Sequence, residues 1–294
     1  MDLLGKNCKM IHEEKVIGGQ KVDTIRINSE LADVHAAAGS GKDIQLLLEG
    51  EISESVAEDL TFKVRQSGST LNIDVNKRKI KLFGLMKSDL HLYVTVPAKV
   101  YEDIYVKLGS GDCIVNNIDT KSYSGICSSG KQVIAGLHAQ KQLTLQASSG
   151  DIFVNNSHSD SVMAEVTSGA VTVSNLSCMH AKYDATSGDI EVQSEKLMGD
   201  TECKVTSGDI RVQSSVFSGE LDCRATSGNV EIHSKTFPDN LFVDCHLSSG
   251  NRKVRVEGLK FTEQQKDRLS GIKGDGSAHS IKAYTTSGNI RILD

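Results

Sequence analysis

The chain has 294 residues with no tryptophan, 4% aromatics and two prolines, so a core built on large rings is excluded and small or β-branched side chains must fill it. A formal net charge of -5 with no dominant basic patch removes the electrostatic case for a nucleic-acid partner. No apolar run reaches the roughly 18 residues that a membrane span requires.

Residues 1–21 read as an N-terminal tail. The opening MDLLGKNCKM carries an early acid and no apolar h-region, so no secretory signal is expected. The seven cysteines are odd in number and lack CxxC pairing. That pattern points to free thiols in a reducing compartment. The cytoplasm is the expected location, with the mitochondrion as the alternative if an import segment is missing from this form.

Residues 22–107 read as an irregular, strand-rich lead-in or cap. Segments 60–64 (LTFKV) and 71–75 (LNIDV), joined by Gln66-Ser67-Gly68-Ser69, form a hairpin signal. Segment 89–97 (DLHLYVTVP) is a strand stopped by proline. The basic link Lys77-Arg78-Lys79-Ile80-Lys81 reads as a solvated loop. Atypical terminal units are expected where an open sheet edge must be protected.

From residue 108 to 294 a Ser-Gly corner recurs, with its glycine at 111, 130, 150, 169, 188, 208, 228, 250 and 288. The intervals are 19, 20, 19, 19, 20, 20, 22 and 38 residues, the last reading as two periods with a loop-out near 258–276. An outlying Ser-Gly at Gly41 is a candidate earlier copy. Copies such as CKVTSGDIRVQS show two alternating stretches around a Thr-Ser-Gly-Asp/Asn corner, which predicts two half-buried strands per repeat. A type II turn gives the glycine its reason, since its third residue needs positive φ. Apolar columns lie two and four residues after the glycine (Ile190 and Val192, Ile210 and Val212) and three before it (Val166, Ala185, Val205). The predicted fold is all-β: a single-stranded, right-handed parallel β-solenoid (β-helix) with 19–20-residue coils and an irregular strand-rich N-terminal cap.

The TSGDI-type corners, together with a lead-in ending in DLHLYVTVPAKV, resemble the bacterial "putative adhesin" domain of unknown function over about residues 22–294. The resemblance implies a β-solenoid. It supplies no catalytic residues.

Cys203, Cys223 and Cys245 each lie five residues before a corner glycine and are expected to stack on successive coils. They read either as a thiolate ladder for a soft metal or redox disulfide, or as small apolar packing; packing is favoured. The Asp112, Asp151, Asp189 and Asp209 column reads as turn residues bonding their local backbone rather than calcium ligands. The column of Thr167, Thr186, Thr206 and Thr226 is a weak candidate for an ice-binding face. Asn251-Arg252-Lys253-Val254-Arg255 near His246 breaks the pattern and reads at most as a contact for an anionic group. His158, His180 and His233 lack metal-ligand spacing and belong on the surface. No catalytic, cofactor-binding or metal residue is assigned, and no cofactor is expected. The reading is a non-enzymatic binding or scaffold protein with a protein or glycan partner, no membrane span, and end-to-end or lateral self-association as a further possibility. The alternative is a carbohydrate-active enzyme with its site where the repeat is interrupted.

Overall fold

The computed structural model describes residues 8–77 and 88–294 and divides into two compact units, Met1–Gln140 and Lys141–Asp294. Most of the basic link read from 77–81 lies outside the described residues. Both units are built from parallel-rich sheets, and the only α-helix among the described residues is the single turn Glu54–Ala57. No described helix is long and apolar enough to cross a membrane.

In the first unit one sheet runs in the order Cys8–Gly18, Asp43–Ser53, Ser88–Pro97, Asp33–Gly39, Cys113–Asn116 and Gln132–Ala135. Its first two pairings are antiparallel and the others parallel. The second sheet runs Leu60–Ser67, Thr70–Lys77, Thr24–Ser29, Val100–Ser110 and Asp119–Ser129, with only the hairpin at 60–77 antiparallel. Two expectations change here. The segment read as a tail contributes the strand Cys8–Gly18, paired over its whole length with Asp43–Ser53. The copy that precedes Gly111 is not at Gly41 but at residues 24–39, because Ile27 pairs with Val106 and Val34 with Cys113. Its corner has Ala32 where later coils have glycine, and Ala32 is not among the positive-φ residues. The 40–99 stretch is therefore an insertion between two stacked coils.

In the second unit each repeat gives one strand to each of two sheets. One sheet runs Ile152–Asn155, Val171–Ser174, Ile190–Leu197, Ile210–Phe217, Val230–Thr236, Ile290–Leu293 and Arg252–Arg255, all parallel. The other runs His158–Ser168, His180–Ser187, Asp200–Ser207, Glu220–Ser227, His279–Ser287 and Leu241–Ser249. It is closed by the antiparallel strands Arg268–Lys273 and Lys260–Gln264, so the stretch read as a loop-out is a hairpin. The period lengthens from 19 to 20 where the four-residue strand Val171–Ser174 gives way to the eight-residue Ile190–Leu197.

The order of coils departs from chain order. Ile290 pairs with both Val230 and Arg252, and Ser287 with both Ser227 and Ser249, so the C-terminal coil sits between the coils of Gly228 and Gly250. The physical reason is legible in the side chains. Ile290 and Ile292 are fully buried, whereas chain-order stacking would press Arg252 onto Val230. Burying an unpaired cation costs several kcal/mol after relaxation. Intercalation also sets Lys282 between Asp222 and Asp244 instead of placing the two carboxylates side by side.

The corner glycines from 111 to 288 have φ between 115° and 153°, beyond the value of about +80° that a type II turn uses. This is a region essentially restricted to glycine. A Cβ on Gly208 would lie 2.1 Å from the Gly188 carbonyl oxygen, and one on Gly228 would lie 1.8 Å from that of Gly208. Glycine is thus demanded twice, by dihedral and by contact with the next corner. A second corner uses left-handed Asn117, Gly136, Asn156 and Asn175, with φ of 47–63°.

Small and β-branched residues fill most of the interior, yet Tyr101, Tyr123, Tyr183 and Phe217 are also fully buried. The exclusion of rings was too strict. Tyr183 fits because its column neighbours are Ala164 and Cys203.

Candidate functional site

Outward-facing positions on the second unit's longer sheet fall into register rows. One row runs Met163, Lys182, Glu202, Asp222, Lys282 and Asp244; the next runs Glu165, Asp184, Lys204, Arg224, Tyr284 and His246. Five members of the first row (Met163, Lys182, Glu202, Asp222 and Lys282) and Arg224 of the second line a shallow groove of about 570 Å³. Within it Arg224 donates two bonds to Asp222, Nε to Oδ1 at 2.8 Å and a terminal nitrogen to Oδ2 at 2.7 Å. That pairing pushes the Arg224 pKa up, and the Arg224 guanidinium also lies 5.0 Å over the Tyr284 ring. Lys182 pairs with Asp184 at 3.2 Å, which raises its pKa as well. Both cations therefore stay charged across the neutral range. The groove can offer charged donors, carboxylate acceptors and a thioether at the strand spacing of about 4.8 Å. At the end of the first row, outside the groove, Asp244 is buried and bound by Arg268 Nε (3.1 Å) and Ser270 Oγ (3.0 Å) of the covering hairpin.

The cysteine column is interrupted. Cys203 and Cys223 are in register, but Ala283 stands between Cys223 and Cys245. All three are fully buried and free. The Cys203 thiol and burial push Cys223 up, and burial raises Cys245 to about 12, so Cys223 and Cys245 pack as neutral groups.

The aspartate column works between coils rather than locally. Asp112 Oδ1 accepts the Lys131 backbone N–H (2.8 Å), Asp151 that of Ala170 (2.9 Å), and Asp189 that of Asp209 (2.8 Å). Asp209 accepts from Asn229, Asn229 from Asn289, and Asn289 from Asn251, following the intercalated order. The four threonines are exposed, one per coil. Arg252 donates to the Gln265 carbonyl of the covering hairpin, and His246 lies 3.5 Å from Asp267. The basic break is therefore the outermost coil of the stack. His158, His180 and His233 are exposed, and His180 faces Asp200 at 3.3 Å.

The grouping that sequence reasoning missed lies in the first unit: Asp33, His35 and His91, whose ligand atoms all lie within 4.8 Å of one another. Asp33 and His91 are register partners on adjacent parallel strands. The signal was present, because Asp33-Val34-His35 and Asp89-Leu90-His91 each place an acid and a histidine on one strand face. Burial and the neighbouring His91 lower the His35 pKa, against the opposing pull of Asp33 and Asp112.

No curated protein matches the chain. Among solved structures, a "putative adhesin" from Parabacteroides distasonis aligns over 96% of this chain and 97% of its own, with TM-score 0.51 and 12% identity. A "putative lipid binding protein" from the same organism covers the same shares at TM-score 0.51 and 16% identity. A "putative adhesin" from Parabacteroides merdae covers 96% of both chains at TM-score 0.50 and 9% identity. At these identities the likeness is one of fold. The Toastrack DUF4097 family profile matches residues 22–293, and the chain belongs to that family.

Proposed function

We propose that the protein is a non-enzymatic binding or scaffold protein that recognises a protein or glycan partner through the rowed groove of its second unit. The observation that carries this reading is the register of Met163, Lys182, Glu202, Asp222 and Lys282 across successive strands, which presents fixed charges in an open groove. Extended repeat surfaces bind partners in this manner. The names borne by the structural relatives, adhesin and lipid-binding protein, agree with a binding role, and nothing found supports a carbohydrate-active enzyme.

The test is biolayer interferometry against neutral and acidic glycans, charged peptides and phospholipid vesicles, with wild type beside Lys182→Glu/Lys282→Glu. Binding that the double variant weakens at least about tenfold supports the groove. Binding that the variant leaves unchanged, or no binding to any class, overturns it.

Three finer points belong to the same reading. A right-handed winding of the coils follows the strong bias of crossovers between parallel strands. Cytoplasmic residence is supported by seven free cysteines, and cell fractionation tests it against the mitochondrial alternative. Self-association through sheet edges is disfavoured by the charges on the edge strands Arg252–Arg255 and Lys260–Gln264, and sedimentation should find a monomer.

A further inference from the structure

We infer that Asp33, His35 and His91 form a binding site for a divalent transition-metal ion of the zinc type, which clips the inserted strand Ser88–Pro97 to the first coil. The three side chains stand on the outer face of two parallel strands, with Asp33 opposite His91 and His35 opposite Tyr93. The His35 and His91 ring centroids are 5.6 Å apart, and Asp33 Oδ2 lies 3.5 Å from His91 Nδ1. His35 Nε2 and His91 Nδ1 are both buried atoms without a hydrogen-bond partner. A buried His35 nitrogen with no hydrogen bond, beside a His91 nitrogen held only by the 3.5 Å approach to the Asp33 carboxylate, is an arrangement a metal ion would satisfy, since buried polar atoms are otherwise nearly always hydrogen-bonded.

Each ligand is also held from behind. Asp33 Oδ1 accepts the Asp112 backbone N–H at 2.8 Å, which leaves Oδ2 to face the histidines. His91 Nε2 lies 3.2 Å from Asp89 Oδ1, an outer carboxylate of the kind that orients metal-bound histidine. The His35 ring stacks on Tyr93 with centroids 4.9 Å apart and planes 20° apart. A tetrahedral zinc with ligand bonds of about 2.0–2.1 Å holds its ligands roughly 3.3 Å apart, so side-chain rotation closes the site. Two nitrogens and one oxygen suit zinc, copper or nickel, whereas calcium and magnesium prefer oxygen alone. Three protein ligands leave one coordination position open.

The test uses the full chain, freed of metal by chelation, with Zn²⁺ or Co²⁺ as the probe. The expected result is one equivalent bound by calorimetry, a Co²⁺ spectrum without a thiolate charge-transfer band, and a higher Tm in excess zinc. His35→Asn/His91→Asn should abolish binding while keeping the wild-type circular dichroism. Asp89→Asn should weaken it by about 10–100-fold. His180→Asn, on the second unit, should leave it unchanged. Absence of binding at 100-fold excess zinc overturns the proposal. So does binding that survives the double variant, or one that shows a thiolate band from the cysteines.

Discussion

Replacing Gly228 by alanine isolates what the repeated corner demands. Gly228 has φ 153°, and an added Cβ would meet the Gly208 carbonyl oxygen at 1.8 Å and its carbon at 2.6 Å. The neighbouring corners cannot retreat freely, because the Gly228 N–H donates to Ser287 and Thr285 Oγ1 donates to the Gly228 carbonyl, both at 2.9 Å. The backbone region alone costs about 1–3 kcal/mol. Forced displacement of packed atoms adds about 1–3 kcal/mol, for roughly 2–6 kcal/mol in all. Gly258 is the control in the same unit: its φ is 77°, but the nearest atoms are Lys273 side-chain carbons at 3.6–3.8 Å. Gly258→Ala should therefore cost only the left-handed backbone term, about 1–2 kcal/mol. Urea titration by circular dichroism, with calorimetric Tm alongside, reads the difference. A Gly228→Ala cost equal to or below that of Gly258→Ala would refute the argument that corner-to-corner contact selects glycine.

Three further outcomes are expected. In native protein at pH 8, a thiol reagent should label Cys8 quickly and Cys178 slowly, since burial raises Cys178 to about 11 and the other five are buried; a second fast thiol, or more than two labelled thiols in all, would contradict the packing. Burial raises the Asp103 pKa, so the folded state holds its proton above the unfolded value of 3.8, and stability falls as pH rises through that window. Asp103→Asn should accordingly stabilise at pH 7 and lose its advantage below about pH 4, as thermal melts across pH will report. Ile290→Ala should cost about 2–5 kcal/mol as a core truncation, whereas Arg252→Ala on the outermost coil should cost under about 1 kcal/mol; equal costs in urea titration would contradict the coil order.

Much of the repeat was legible because period-two alternation and a glycine-only corner act within one short segment. The inward columns at Ile190, Val192 and Val205 are buried as their spacing required. Coil order was less legible, because spacing along the chain says nothing about which edge a strand joins. Arg252 in an apolar column was the available clue, since an arginine there can only end a stack. The first coil escaped notice for a related reason: Ala32 replaces the corner glycine, and Val34 finds its partner Cys113 only after the inserted strands. The stacked cysteines failed as a set of three through the same intercalation, which puts Ala283 between Cys223 and Cys245. The histidine–aspartate grouping needed the pairing of Asp33–Gly39 with Ser88–Pro97, a long-range register that no local pattern encodes.

The proposed groove is continuous because the strand His279–Ser287 of the C-terminal coil lies between the Gly228 and Gly250 coils and brings Lys282 beside Asp222. Paired cysteine substitutions at exposed corner serines test that placement. Neighbouring parallel strands about 4.8 Å apart fall within the Cα separation of about 4.4–6.8 Å that a disulfide allows. Under mild oxidation, followed by peptide mass spectrometry, Ser227→Cys/Ser287→Cys and Ser287→Cys/Ser249→Cys should cross-link, and Ser227→Cys/Ser249→Cys should not. A cross-link between positions 227 and 249, with none from position 287, would restore chain order and take the groove apart.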